Sequence, residues 1–205
     1  MEDLLSLKVL QLDALREVAN IGAGHAATAL SQMVGETIMI TVPTINIARL
    51  EEVPVQMTDL DEPVAAVLMH MVGDLTGRTL LVLPKRTAVR LASRLLKKQQ
   101  NEESLSEMGQ SAIKEAGNIL SSAYMNALSD FMGMLLLPSP PSLAIDMSEA
   151  VLNTAYLQFG TDRDYVVCVE SEFVMDETNE RLRGFFLLLP DAPSLAAILK
   201  AVRVA

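Results

Sequence analysis

Two stretches of the chain, 98 residues apart, decide the fold: residues 13–47 read DALREVANIGAGHAATALSQMVGETIMITVPTINI, and residues 111–145 read SAIKEAGNILSSAYMNALSDFMGMLLLPSPPSLAI. Aligned without a gap, they share ten of 35 residues: Ala14/Ala112, Glu17/Glu115, Asn20/Asn118, Ile21/Ile119, Ala29/Ala127, Leu30/Leu128, Ser31/Ser129, Gly35/Gly133, Pro43/Pro141 and Ile47/Ile145. Because one chance match has a probability of roughly 1 in 20 from average composition, this similarity indicates an internal duplication.

The pattern predicts the same order of elements in both halves, with a long helix first, then short strands, then a second helix. The elements predicted for the first half are a helix from about Ser6 to Val34, strands at Thr37–Thr41, Thr44–Leu50, Pro63–Val72 and Gly77–Leu83, and a helix at Arg86–Lys98. Those predicted for the second half are a helix from Leu105 to about Phe131, strands near Ser142–Met147, Val151–Phe159, Tyr165–Phe173 and Leu182–Leu189, and a helix from Pro190 to about Val202.

The predicted fold class is α+β. A small sheet in one half cannot bury both of its faces, so the two repeats, at about 1–99 and 100–205, are expected to join as a single domain, 1–205, with pseudo-two-fold symmetry. Short connections predict a mostly antiparallel sheet, covered by the paired long helices. Gly22 on the buried face predicts that these helices approach closely. The second half is eight residues longer between Ile145 and Leu187, and we expect the extra residues in hairpin loops.

Composition narrows the class of protein further. Half of the 205 residues are hydrophobic, and the net charge of −10 argues against general nucleic-acid binding. A partner that presents a Lys suits this charge better. No stretch approaches the ~20 apolar residues that span a bilayer, so membrane insertion is not expected. The single cysteine, Cys168, lies in an apolar strand pattern and is predicted to be structural. We expect the protein to be cytoplasmic.

A stripe of polar residues on the first long helix recurs on the second. At about 100° per residue, four residues of the first copy share one narrow stripe, opposite the apolar positions: Asp13, Glu17, Asn20 and Gly24. Their counterparts are Ser111, Glu115, Asn118 and Ser122. Exposed positions without a task drift, as Gln32 and Asp130 have done. The retained Glu–Asn pair therefore predicts an exposed functional site in each half.

The residue types limit the chemistry of these sites. The pair lacks a strong nucleophile and has no neighbouring His in both copies, so an acyl-transfer triad is unsupported. Ser111 replaces the carboxylate of Asp13, which argues against a dedicated metal site. An exposed Glu can form an ion pair with a partner's Lys, and an Asn amide can hold a water by accepting and donating hydrogen bonds. Together they can dock on a phosphoprotein and aim a water in line with a phosphoryl bond.

The pattern [Asp/Ser]-x3-Glu-x2-Asn-x22-Pro, present twice, resembles the signature of the CheC family of phosphatases of bacterial and archaeal chemotaxis. It is also similar to that of the related CheX and FliY proteins. The resemblance extends over the whole chain, including its length and its two-repeat layout. It implies hydrolysis of the phospho-aspartate of the response regulator CheY, and a second partner, the receptor-modifying deamidase CheD. It also implies no cofactor of the chain's own, because any Mg²⁺ belongs to the regulator.

The resemblance also implies roles for single residues. Glu17 and Glu115 are each expected to bind the regulator's active-site Lys, and Asn20 and Asn118 each to place the hydrolytic water. The remaining motif residues are expected to have supporting roles, in partner contacts for one pair and in shaping the segment after the helix for the other: Asp13 and Ser111, and Pro43 and Pro141. Two alternatives stay open, a non-catalytic adaptor that holds the regulator and a regulator of CheD. The Asn in both copies favours catalysis.

Overall fold

The computed structural model describes residues 9–41, 44–49, 62–99, 104–157, 165–175 and 180–204. Within these ranges lie five helices: α1 (Val9–Val34), α2 (Lys85–Leu95), α3 (Glu107–Met132), α4 (Ser148–Leu157) and α5 (Ala192–Val204). The same ranges contain eight strands: β1 (Ile38–Ile40), β2 (Thr44–Arg49), β3 (Pro63–Gly73), β4 (Gly77–Pro84), β5 (Leu136–Pro138), β6 (Ser142–Met147), β7 (Tyr165–Met175) and β8 (Glu180–Pro190).

The duplication is visible in these bounds. Helices α1 and α3 are 98 residues apart at both ends, and so are the strand pairs β1/β5 and β2/β6. Strand β7 lies 102 residues after β3 at both ends, and β8 ends 106 residues after β4. The predicted common order of elements is therefore confirmed. Of the eight additional residues of the second half, four lie between β6 and β7, one lies between β7 and β8, and three lengthen β8 relative to β4.

One sheet runs through both halves in the order β1-β7-β8-β4-β3-β5, with β2 also paired to β7 and β6 to β3. All described strand pairs are antiparallel. The short strands are exchanged between halves, because β1 and β2 bond to β7 while β5 and β6 bond to β3. At the centre, β4 pairs with β8, with Leu80 opposite Leu187 and Leu81 opposite Phe186. The predicted α+β class and pseudo-two-fold arrangement are confirmed.

The helices lie on both faces of this sheet. The larger core lies between the sheet and the helices α1, α2, α3 and α5, and α1 packs directly against α3. The smaller core lies on the other face, where α4 contributes Val151 and Leu152. The pairing of the two long helices over the sheet, which the sequence predicts, is therefore present. It places both polar stripes on the outer surface of the same helical layer.

Two buried glycines allow the close packing of this layer. A Cβ at Gly22 would lie 2.7 Å from Cδ1 and 3.0 Å from Cα of Tyr124, so α1 and α3 approach closely there, as predicted. A Cβ at Gly117 would lie 2.6 Å from Cγ1 of Val67, which brings α3 down onto β3. Since real Cβ atoms essentially never come within 3.0 Å of another heavy atom, both positions need glycine. The helix ends at Gly35 and Gly133 are also confirmed.

Some element predictions are wrong. The strand predicted at Val151–Phe159 is instead helix α4, which begins at Ser148. Glu149 lies in its first turn, where a negative charge stabilises the helix by interacting with the helix dipole. This helix lies between β6 and β7, so the extra residues are not confined to hairpin loops. Strand β5 was not predicted, although its counterpart β1 was, because prolines follow Leu137. The repeat boundary near residues 99–100 stays a prediction.

Candidate functional site

Helix α1 presents the predicted stripe outward. Asp13, Glu17 and Gly24 are exposed, and Asn20 is half-buried. On the opposite side of the helix, the side chains that face the sheet are buried: Leu15, Val18, Ala19, Ala23 and Ala26. The 3.6-residue period therefore separates a packing face from a polar face, as the sequence predicts. We call Glu17 and Asn20 the first site.

Helix α3 repeats this arrangement. Ser111 and Glu115 are exposed, while Asn118 and Ser122 are half-buried. The helix is held at both ends: the Oγ of Ser106 accepts a hydrogen bond of 3.1 Å from the backbone N–H of Gly109, and Gly133 is left-handed with φ +64°. We call Glu115 and Asn118 the second site. In each site the Asn lies one turn after the Glu, at the edge of the exposed face.

Within the part of the chain that the structure describes, the site side chains have free hydrogen-bonding groups. Toward the other described residues, neither glutamate forms an ion pair and neither asparagine amide forms a hydrogen bond, whereas Asp13 accepts a 2.9 Å bond from Arg16. That exposed pair holds Asp13 only weakly. As far as the described ranges extend, each site thus offers an unpaired carboxylate and a complete amide to an external partner. This arrangement can bind a cation and orient a small polar molecule.

Beside the first site, the surface lacks a side chain at Gly24 and has an apolar side chain at Ile21. A Cβ added to Gly24 would have no atom within 4 Å, so nothing in the described chain requires a glycine there. Ile21, next to Asn20 in sequence, is 44% exposed. The polar stripe predicted from the sequence does not include Ile21, although Ile21 is identical to Ile119 in the alignment of the two halves.

Of the two motif prolines, only Pro141 lies within the described residues. Pro43 lies outside the described ranges, so its predicted structural role stays a prediction. Pro141 is half-buried and immediately precedes β6, which pairs with β3. The loop before it is tied to the same strand, since the backbone N–H of His70 donates to Ser139 Oγ at 2.8 Å. The proline therefore stands where the chain returns from β5 to β6.

Cys168 is buried in β7, as the sequence predicts. Burial raises the pKa of its thiol to about 12, with a smaller rise from the negative charge of Glu170 and a lowering by Arg183. The thiol therefore stays protonated near neutral pH and does not act as a nucleophile.

Two further features of the described residues bear on the predictions. In the part of the chain that the structure describes, no three side chains of His, Cys, Asp and Glu come together in a way that could hold a metal ion. None of the helices in the described ranges is both long enough and apolar enough to cross a membrane.

The fold and the duplicated site define a class of protein with known relatives. The chain is 32% identical to the CheY-P phosphatase CheC of Bacillus subtilis (strain 168), over 96% of this chain and 95% of that protein. It is 26% identical to the flagellar motor switch phosphatase FliY of the same organism, over 77% of this chain but 39% of that longer protein. The crystal structure of Thermotoga maritima FliY matches with a TM-score of 0.77 and 26% identity, covering 97% of this chain and 98% of that one.

The model of the CheC-like family matches residues 10–47 and 108–145, the two segments that carry the first and second sites. The chain belongs to the CheC-like family.

Proposed function

We propose that the chain is a phosphatase that hydrolyses the phospho-aspartate of the response regulator CheY at two sites. The observation that carries this proposal is a pair at the same helix position of both halves, an exposed Glu followed one turn later by a half-buried Asn: Glu17 with Asn20 and Glu115 with Asn118. The names of two relatives from B. subtilis support the proposal: CheC is named a CheY-P phosphatase, which gives the substrate, and FliY is named a motor switch phosphatase, which supports the activity.

In this proposal Glu17 and Glu115 dock the regulator. Each carboxylate is exposed and has no ion pair with another described residue, so it can accept a Lys ammonium from the partner. When docking excludes water, this charge pair gains strength because the local dielectric falls. A Lys beside the phosphoryl group would then be held in place by the phosphatase. This contact fixes the register of the two proteins.

Asn20 and Asn118 orient the attacking water. The amide oxygen accepts a hydrogen bond from the water, which leaves an oxygen lone pair directed at phosphorus. As the new P–O bond forms, the bond between phosphorus and the aspartate oxygen breaks, releasing inorganic phosphate and the free carboxylate. An amide contributes position rather than proton transfer, so catalysis here is chiefly orientation. Any Mg²⁺ in this reaction belongs to the regulator, and the proposal assigns no cofactor to this chain.

The test is the decay of phosphorylated CheY with wild-type protein, Asn20→Ala, Asn118→Ala and the double variant. We expect each single variant to keep part of the activity and the double variant to lose roughly 100-fold or more, a loss typical of removing a positioned polar group. Binding to the regulator should persist. Asn126→Ala is the matched control, because Asn126 is an exposed asparagine two turns further along α3.

An unchanged decay rate with wild-type protein that still binds the regulator would favour the adaptor over the enzyme. A double variant as active as wild type would leave the enzyme but remove the two asparagines from its mechanism. The deamidase CheD as a second partner rests on the sequence resemblance alone and stays a prediction.

A further inference from the structure

An aliphatic side chain stands in the middle of the solvent face of α1. Ile21 is 44% exposed, and at about 100° per residue it lies about 40° around the helix from Glu17. It is adjacent to Asn20 in sequence. An Ile at such a position contributes little to packing within the chain and has a lower helix propensity than Leu or Ala. The first site therefore has an apolar group directly beside its carboxylate.

A single exposed apolar residue is ordinary on a protein surface. The comparison of the two halves adds to this, because Ile119 occupies the same position beside Asn118, while other exposed positions have diverged. Ile119 is half-buried and packs in part against the core, so only its outer part is open to a partner. The second helix adds Met108, which is 67% exposed and lies seven residues before Glu115, on the same face. In sequence it aligns with another apolar residue, Leu10. In sequence, both copies therefore have an apolar residue seven positions before the Glu and another four positions after it.

The small residues at positions 24 and 122 also favour a partner contact beside each site. Gly24 lies one turn beyond Ile21 in the interior of α1, where glycine destabilises a helix relative to alanine. Gly22 has a reason within the fold, since Tyr124 occupies the space of its Cβ, but the space around Gly24 is open. A partner that approaches closely over this turn would account for the missing side chain. Its counterpart, Ser122, is also small.

We propose that Ile21 and Ile119, with Met108 at the second site, are the apolar part of the surface that docks the receiver domain of the response regulator. The inference rests on the proposed function. An exposed ion pair by itself contributes little to binding, whereas burial of an aliphatic group beside it also removes water from the charge pair. The Glu selects a regulator with a Lys, and the Ile selects one with an apolar surface next to that Lys. These residues set affinity and specificity and take no part in the chemical step.

The experiment uses Glu115→Arg together with Asn118→Ala as the background, so that the second site neither docks the regulator's Lys nor places a water, and both turnover and Kd report the first site. Ile21→Ser is compared with Ile21→Leu, which keeps an aliphatic group, and with Val72→Thr, a control that changes a residue of similar exposure, 46%, on β3. For each variant we measure kcat and KM on phosphorylated CheY, the Kd for CheY activated with beryllofluoride, and the thermal unfolding midpoint.

We expect Ile21→Ser to raise KM and Kd about tenfold, as one aliphatic side chain no longer becomes buried on binding. Its kcat and unfolding midpoint should stay near those of the background, and the Leu variant and the Val72 control should bind normally. Unchanged KM and Kd in Ile21→Ser, an equal loss in Val72→Thr, or a fall in kcat alone would overturn the inference. If wild-type protein binds CheY without hydrolysing its phosphate, the proposed function fails, while the Kd values still decide the docking surface. If it does not bind CheY, both fail.

Discussion

Helices α1 and α3 carry the same Glu–Asn pair, but they are anchored differently. Helix α3 is bonded to the sheet through buried polar groups: Thr79 donates to Ser121 at 3.2 Å, and the hydroxyls of Tyr124 and Ser171 lie 3.4 Å apart. At the equivalent positions of α1 stand Ala23 and Ala26, which have no polar side chain. The duplicated helices have kept their outer faces while their inner attachments diverged.

The packing beneath the two sites differs as well. Under the second site, Gly117 allows α3 to lie against Val67 without a gap. The counterparts of these two residues under the first site, Ala19 and Val169, instead line an apolar cavity of about 40 Å³. The side chains that line this partly open space lack dispersion contacts on one side. The second site is therefore built on the more firmly held helix, and we expect it to orient its water better than the first.

The largest expected effect comes from Gly117→Ala, which removes the close contact of α3 with β3. The new Cβ would lie 2.6 Å from Cγ1 and 2.7 Å from Cβ of Val67, so the helix or the strand must move. We expect destabilisation by about 1–3 kcal/mol, measured by urea unfolding. In an Asn20→Ala background, in which only the second site works, turnover should fall as well.

Gly24→Ala is the control for this change, because its Cβ meets open space on the outer face of α1. It should stabilise the chain by up to about 1 kcal/mol. A Gly117→Ala protein as stable as wild type would show that the second site does not depend on this close approach, and the contrast between the two helices would lose its main support.

The local part of this structure could be predicted from the sequence. The helical period separates Glu17 from Leu15 and Val18, and the ends of both long helices are marked by Gly35 and Gly133, with φ of +76° and +64°. These features depend on neighbours within one or two turns, so short-range rules suffice. The duplication strengthened each inference, because the same pattern was seen twice.

The non-local part could not be predicted from the sequence. The exchange of short strands between halves depends on pairings such as Thr44 with Glu170, 126 residues away, which no local pattern encodes. Helix α4 was mistaken for a strand because short apolar runs do not distinguish the two. The unequal anchoring of the sites also depends on distant contacts, such as that between Thr79 and Ser121. The roles of the site residues stay predictions until variants are measured.

A smaller effect is expected from the hydrogen bond between Thr79 and Ser121, which are both fully buried. Ser121→Ala leaves the Thr79 hydroxyl without this acceptor and should destabilise the chain by about 1–2 kcal/mol. Adding Thr79→Val should recover much of this loss, because two apolar groups then face each other. Urea unfolding of the two single variants and the double variant measures the coupling. Additive losses would contradict a direct bond between the two hydroxyls.

The smallest expected effect is a gain from filling the cavity beneath the first site. Val18 lines that cavity and is buried, so Val18→Ile adds one methylene group to an apolar space. We expect stabilisation of at most about 0.8 kcal/mol, measured as a rise in the thermal unfolding midpoint. If loose packing limits the first site, its turnover in an Asn118→Ala background should rise toward that of the second.

Val18→Ala is the opposite change, since it enlarges the cavity and should lower both stability and first-site turnover. A stabilised Val18→Ile protein with unchanged turnover would separate packing from catalysis. The inequality of the two sites would then have to lie in their exposed surfaces, where Asp13 is paired with Arg16 and its counterpart Ser111 bears no charge. That result would attribute the difference in turnover to the outer faces of the helices rather than to the packing of their inner faces.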